Sequence, residues 1–202
     1  MGGPLTREQI LTAAEDVLRR YGPDKATVVD VARALGVSHA SVYRHFRSKA
    51  ELRAAVARRW LTRVHAPVTA LRDSTQAAPD RLRTWLHTLL AVKRRKVLDD
   101  PELFAAYRRL AAEWQEALTA TLDGLVDDIA AIVRAGVRDG SFRPVEPTAT
   151  ARAIFTATLA FHHPSHAASW SDPGTEERLD AVCDLILAGL SADRPGPRGT
   201  GR

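Results

Sequence analysis

Residues 27–53, TVVDVARALGVSHASVYRHFRSKAELR, constrain the fold more than any other stretch of this chain. Thr27 and Asp30 have the spacing of a capping box, with Asp in place of the usual Glu, so a helix is expected to begin behind Thr27. Val31, Ala32 and Leu35 give that helix one apolar face. Gly36 suits the left-handed residue that ends it, where a Cβ would be strained. Val37 is expected to turn back into a small core, and Ser38 to cap a second, short helix. Val42 and Phe46, at i and i+4, bury one side of it. The small Ala32 lets the two helices approach closely, and the β-branched Val42 fills the gap between them. Ser48 and Glu51 repeat the capping-box spacing and open a third, longer helix.

Two short helices joined by a glycine turn, with a third behind, form a helix-turn-helix, whose second helix lies in the major groove of DNA. The face left over from 38 to 45 carries Ser38, His39, Ala40, Ser41, Tyr43, Arg44 and His45. It is short, polar and cationic. Ser38, His39, Ala40 and Ser41 stand at its front and are the candidates for base contact. An imidazole can donate or accept, and an alanine methyl can touch a thymine methyl. Lys49 falls in the first turn of the third helix, against the local dipole, which points to an external anion such as a phosphate.

Charge agrees with this placement. The net charge is +5, and residues 1–63 hold 12 Lys or Arg against 6 Asp or Glu, while the remainder hold 17 against 18. A positive head on a nearly neutral body is the electrostatic footprint of a DNA-binding protein.

The first helix, TREQILTAAEDVLRRYG, and the stretch DVARALGVSHASVYRHFRSKAEL resemble the N-terminal domain of the TetR/AcrR family of transcriptional regulators, and the VYRHF-x-SK-x-x-L portion is specific to that family. The match covers about the first 55 residues. The resemblance implies an all-α homodimer with an N-terminal three-helix DNA-binding domain and a C-terminal helical domain that binds a small effector. Ala40 stands where many members carry Gly or Pro. Matching positions in the family make Tyr43, His45 and Lys49 phosphate contacts, and Thr27 and Arg44 are further candidates for that role.

The expected organisation is a helix-turn-helix domain over 1–48, a linking helix over 49–73, a helical effector-binding and dimerisation domain over 74–191, and a disordered tail over 192–202. The first helix is expected over 6–21, capped by Thr6 and followed by Gly22. Leu52, Val56, Trp60 and Val64 give the linking helix an apolar face, which Pro67 would kink or interrupt. The next helix opens at Pro79 and Asp80 and carries Leu82, Trp85, Leu86, Leu89 and Leu90. The KRRK run at 93–96 closes it as a solvated last turn, favourable at a negative helix end. A short helix, PELFAAYRRL, starts at Pro101. A long one over 113–138 turns Trp114, Leu118, Leu122, Leu125, Ile129, Ile132 and Val133 inward and stops at Gly140. Two helices follow, over 147–162 and 175–190. The family resemblance implies that these pair with their copies across a dimer interface, where Ala149, Ala151, Ala153 and Ala157 would permit close packing.

An effector cavity lined by Trp85, Leu89, Phe104, Tyr107, Trp114, Leu118 and Phe161 is implied by the resemblance. The residues themselves fit a plain packed core equally well. The polar groups near these faces are His87, Thr88 and Arg108, so an uncharged or weakly charged hydrophobic ligand is expected. His162, His163 and His166 bring three imidazoles within five residues. Pro164 breaks the helix there and no acidic or cysteine partner lies alongside, so no metal is expected. No cofactor is expected either. Cys183 is the one cysteine, which excludes an intramolecular disulfide and fits a reducing cytosol. Its setting is that of a small packed hydrophobe.

No apolar run is long enough to span a membrane, and the N-terminus lacks the apolar core of a signal peptide, so a cytoplasmic location is expected. The chain carries no nucleophile elbow, P-loop, dinucleotide fingerprint or HExxH, which argues against an enzyme. The reading is a repressor released from a palindromic operator by a small molecule. The alternative is a helical protein-interaction module, or an activator without a small-molecule ligand.

Overall fold

The computed structural model describes residues 4–99, 101, 102, 104 and 115–192. These residues are helical throughout their ordered elements, and among them extended pairing is confined to a single bridge between Phe142 and Ser191. The elements are α1 (Arg7–Lys25), α2 (Val28–Ala34), α3 (His39–Tyr43), α4 (Lys49–Thr69), α5 (Ala78–Asp99), α6 (Gln115–Asp139), α7 (Pro147–Ala157) and α8 (Thr175–Leu190). Short 3₁₀ turns occupy Ala70–Asp73, Leu159–Phe161 and Pro164–Ser169. The chain forms two compact units. One is built from residues up to Val64 with Lys96–Leu122, the other from His65–Arg95 and the residues from Asp123 onwards.

In the first unit, α1 starts where Thr6 caps it. The Thr6 hydroxyl accepts from the Gln9 amide at 3.2 Å, and the Gln9 side chain accepts from the Thr6 amide at 2.9 Å. Helical residues continue to Lys25, beyond the expected end at 21, but Gly22 is not helical (φ 73°, ψ 168°) and kinks the segment. Ile10, Ala14, Val17 and Leu18 are buried as the spacing required, and so are Val28, Val31, Ala32, Val42, Phe46, Leu52, Val56 and Trp60 of the same unit. α4 continues through Pro67 to Thr69, and the last turn expected of it, to 73, is a separate 3₁₀ segment.

The second unit has its own core: Leu82, Trp85, Leu86, Leu89, Leu90, Leu125, Ile129, Ile132, Val133, Ile154, Phe161, Trp170, Leu179 and Cys183 are all buried. Burial pushes the Cys183 thiol up to about 11, so it is a packed hydrophobe and not a reactive thiolate. α6 ends at Gly140 (φ 82°) as expected. The following loop returns Phe142 against Gly136 so closely that a Cβ there would lie 2.3 Å from the ring. Arg143 ties the loop to the end of α8, its amide donating to the Leu190 carbonyl and its Nε to the Gly189 carbonyl, both at 2.8 Å.

Several expectations need correction. α7 stops at Ala157, not 162, because the Thr158 hydroxyl donates back to the Ile154 carbonyl at 2.9 Å and the chain tightens into a 3₁₀ turn ahead of Pro164. Leu122 is 37% exposed and Leu118 half-buried. The buried stripe of α6 starts only at Leu125, and apolar period alone does not say where along a helix its packing partner begins. The KRRK run is not a solvated terminus. α5 continues to Asp99, Lys93 Nζ donates to His65 Nε2 at 3.0 Å, Arg94 binds the Trp170 carbonyl and Glu176, and Lys96 lies 4.7 Å over the Trp60 ring. Tyr107, Trp114, Arg108, most of the helix expected from Pro101, and residues 193–202 of the expected tail lie outside the described residues.

Asp128 of α6 is 3% exposed. It takes a hydrogen bond from the Thr69 side chain and has Arg72 at 3.8 Å, yet its Oδ2 has no partner among the described residues. Burial outweighs these contacts and raises its carboxyl above the usual range. A native-state pKa above the unfolded one means that the folded chain holds the proton longer. Stability therefore falls as pH rises from the ordinary carboxylate value through the raised one. Asp128→Asn keeps the Thr69 bond and forfeits only a half-exposed ion pair. It is expected to melt above the parent chain at neutral pH and to converge with it near pH 4, the ordinary carboxylate range. Melting curves between those limits check this, and an equal loss at every pH would contradict it.

Candidate nucleic-acid interface

The turn between α2 and α3 is built as the sequence dictates. The Thr27 hydroxyl accepts from the Asp30 amide at 3.2 Å and donates to Asp30 Oδ2 at 2.6 Å, while the Thr27 amide donates to the same oxygen at 3.1 Å. The Thr27 hydroxyl holds the Asp30 carboxyl below the usual range. At the other end of α2, Gly36 adopts φ 66°, its amide donates to the Arg33 carbonyl at 3.1 Å, and the Val37 amide donates to the Ala32 carbonyl at 3.0 Å. That paired pattern is a Schellman motif, which needs a left-handed residue where the glycine stands.

Ser38 then caps α3, its Oγ accepting from the Ser41 amide at 3.2 Å and lying 3.0 Å from Ser41 Oγ. α3 is five residues long. Val42 is fully buried, and Phe46, just past the helical end, is buried with it and donates its amide to the Val42 carbonyl at 3.1 Å. The opposite face is open. Ser38, His39, Ala40, Tyr43 and Arg44 are exposed, and Ser41 and His45 half-buried. The His39 and Tyr43 rings meet edge to face with centroids 6.4 Å apart, so the two project from α3 as a pair. Arg44 Nη2 donates to Ser41 Oγ at 3.2 Å.

Glu51 caps the start of α4, with a shift from the expected box. Its amide donates to Ser48 Oγ at 3.0 Å, but its carboxylate accepts from the Arg47 amide, at 2.7 Å, and not from that of Ser48. Lys49 is exposed in the first turn beside this cap. The nine expected DNA-contact residues therefore lie on α3 and its caps, just past its end at His45, or at the start of α2 and α4, all within one unit. Spacing alone did not identify Arg7. Its guanidinium donates to the His45 carbonyl, lies 4.1 Å from the Phe46 ring centroid and sits 3.7 Å from Glu51.

The expected effector residues are distributed differently. Trp85, Leu89 and Phe161 are buried in the second unit, whereas Phe104 and Leu118 belong to the first and are half-buried. His87 donates to Asp180 at 2.9 Å, beside Arg83, which binds both Asp180 and Asp184. The three histidines do not converge. The His162 ring stacks on Phe155 at 4.2 Å and donates to its carbonyl at 3.0 Å, whereas His163 caps the 3₁₀ turn through Ser165 and meets the His166 ring edge to face, centroids 6.4 Å apart. Burial pushes His162 down to about 4, so its ring is neutral. No group of three or more His, Cys, Asp or Glu suited to a metal occurs among the described residues, and none of the described helices is long and apolar enough to cross a membrane.

A capped, glycine-turned helix pair presenting a basic face defines the helix-turn-helix class. Residues 10–56 match the family model described as "Bacterial regulatory proteins, tetR family", and residues 78–183 match "Tetracyclin repressor-like, C-terminal domain". The chain belongs to the TetR family, a family of DNA-binding transcriptional regulators and not of enzymes. It is 36% identical over 122 residues to the HTH-type transcriptional repressor Rv1474c of Mycobacterium tuberculosis, covering 57% of this chain and 64% of that protein. It is 28% identical over 145 residues to the HTH-type transcriptional regulator RutR of Escherichia coli K12, covering 70% of this chain and 66% of that one. The matched stretches thus span just under two thirds of these relatives. A TetR-family transcriptional regulator from Mesorhizobium loti shares the fold with a TM-score of 0.70 at 19% identity, over 92% of this chain and 96% of that one.

Proposed function

We propose that the chain is a dimeric repressor that leaves a palindromic operator when a small, largely hydrophobic molecule occupies its C-terminal domain. The observation that carries the DNA half of this reading is the exposed face of α3, set against buried Val42 and Phe46. His39, Ala40 and Ser41, with Ser38 at the cap, read base edges, and Tyr43, Arg44, His45 and Lys49 hold phosphates. Thr27 joins them only by exchanging its bond to Asp30 for one to a phosphate. Exposed Ala149, Ala153, Ala157, Leu159 and Leu185 on and beside α7 and α8 suit a helical dimer interface. Two α3 helices would then enter successive major grooves about 34 Å apart. Residues 1–48 act as reader and 74–191 as effector and dimer domain. The repressor and regulator named among the relatives favour repression over the interaction-module reading.

Ligand shifts the equilibrium only by its differential affinity for the two states. The test of the whole reading is selection of genomic fragments by the purified protein at two salt concentrations. Recovery of a palindrome bound with steep salt dependence supports it, and weak sequence-indifferent binding contradicts it. On the recovered site, Tyr43→Ala and Lys49→Ala are expected to weaken binding on all sequences alike, and the Lys49 change to reduce the salt slope by about one. His39→Ala is expected to alter sequence preference, at a cost of about 1–3 kcal/mol on the preferred base. Unchanged operator affinity in all three variants would remove the assignment.

A further inference from the structure

α3 has fewer than two turns. A helix that short does not hold its own shape, and its direction is set by whatever grips it. Ser38 and the Gly36 turn grip its front, and Val42 and Phe46 grip its underside. At its rear a side chain from 38 residues upstream takes hold. The Arg7 guanidinium donates to the His45 carbonyl, which lies past the end of α3, and stacks over the Phe46 ring at 4.1 Å. It also approaches Glu51 Oε1 at 3.7 Å, the carboxylate whose other oxygen fixes the Arg47 amide at 2.7 Å. Arg7 thereby joins the first turn of α1, the end of α3 and the cap of α4.

We propose that Arg7 is a positioning residue for operator recognition, which fixes the angle of α3 so that His39, Ala40 and Ser41 reach the bases in register. The proposal rests on the DNA reading above. Base readout tolerates little misplacement, since a functional constellation must be held within about 0.5 Å by its supporting side chains. The task needs a planar guanidinium, which can stack and donate from its fork at once, and a lysine ammonium cannot do both. The Arg7 side chain is 53% exposed, so its ion pair with Glu51 contributes little to folding. Its removal leaves the fold standing.

The experiment compares the full-length chain with Arg7→Ala and Arg7→Lys. Affinity is measured for the duplex that the parent chain selects and for a scrambled duplex of equal length, at several salt concentrations, alongside thermal melting. Both variants are expected to lose about tenfold on the selected duplex, the worth of one charge-assisted hydrogen bond. They are expected to stay within about twofold on the scrambled one, with the salt slope and melting temperature close to the parent's. Restoration by lysine would overturn the proposal, as would an equal loss on both duplexes with the slope smaller by about one, because Arg7 would then be a phosphate contact. Parent-like binding by both variants would overturn it too. Failure of the parent chain to select any sequence is a separate result, and it removes the DNA reading itself.

Discussion

Phe46→Ala is expected to lower the stability of the head by about 3–5 kcal/mol and to abolish operator binding with it. The ring is 1% exposed, capped by the Arg7 guanidinium, and its amide closes the turn after α3 onto the Val42 carbonyl. Truncation leaves a cavity under α3, the element that carries most of the proposed DNA-contact residues. The neighbouring helices α2 and α3 are too short to collapse into it without losing their own caps. Against a total stability of about 5–15 kcal/mol for an ordinary domain, a loss of this size leaves little margin. Phe46→Leu, which refills most of the volume, is expected to cost about 1 kcal/mol. Urea unfolding followed by circular dichroism measures both changes. A midpoint for the alanine variant close to the parent's would mean that Phe46 is not the anchor of this turn.

The contrast between Phe46 and Arg7 shows which parts of the site were legible. Most of the turn that local chemistry governs could be read from the sequence. Thr27 with Asp30, Gly36 in the left-handed region, Ser38 with the Ser41 amide, and Val42 with Phe46 all act within five residues of one another, and each stands as expected. Arg7 escaped because its partners are 38 to 44 residues away, and no local pattern distinguishes it from a solvated arginine. The Glu51 cap shows the same limit at smaller scale. Its type was legible, but its choice of the Arg47 amide over that of Ser48 depends on how the chain leaves α3.

In the body, element type was legible and element ends only in part. The α8 pattern gave both ends, because Gly174 precedes it and the apolar period runs unbroken to Leu190. α7 ended early through a hydroxyl of Thr158 that turned inward, which composition does not foretell. The KRRK run at 93–96 looked like a solvated terminus because charge runs usually are. Its real partners, His65, Trp170, Glu176 and Trp60, come from elements distant in sequence.

The largest long-range polar effect is expected at Glu15. This carboxylate on α1 is 4% exposed, with Arg63 Nη2 at 2.8 Å, Arg59 Nε at 3.7 Å and Arg19 Nη2 at 3.9 Å. Arg59 also donates to the Glu8 carbonyl at 3.2 Å and to Thr12 Oγ1 at 2.9 Å, so α4 grips two turns of α1. The burial is asymmetric: the carboxylate is inside, while the three guanidinium side chains are 23–48% exposed. Removing the cations therefore strands a buried charge, whereas removing the carboxylate leaves cations that water can still solvate. The double change Arg59→Met with Arg63→Met keeps the apolar stems and is expected to cost about 3 kcal/mol, the lower end for a broken buried pair because Arg19 remains. Glu15→Leu is expected to cost under about 1 kcal/mol, and to restore most of the loss when combined with the double change. Urea midpoints of the four chains decide the matter. If Glu15→Leu is as damaging as the loss of both arginines, the interaction stabilises through the pair itself, and the asymmetry of burial does not control it.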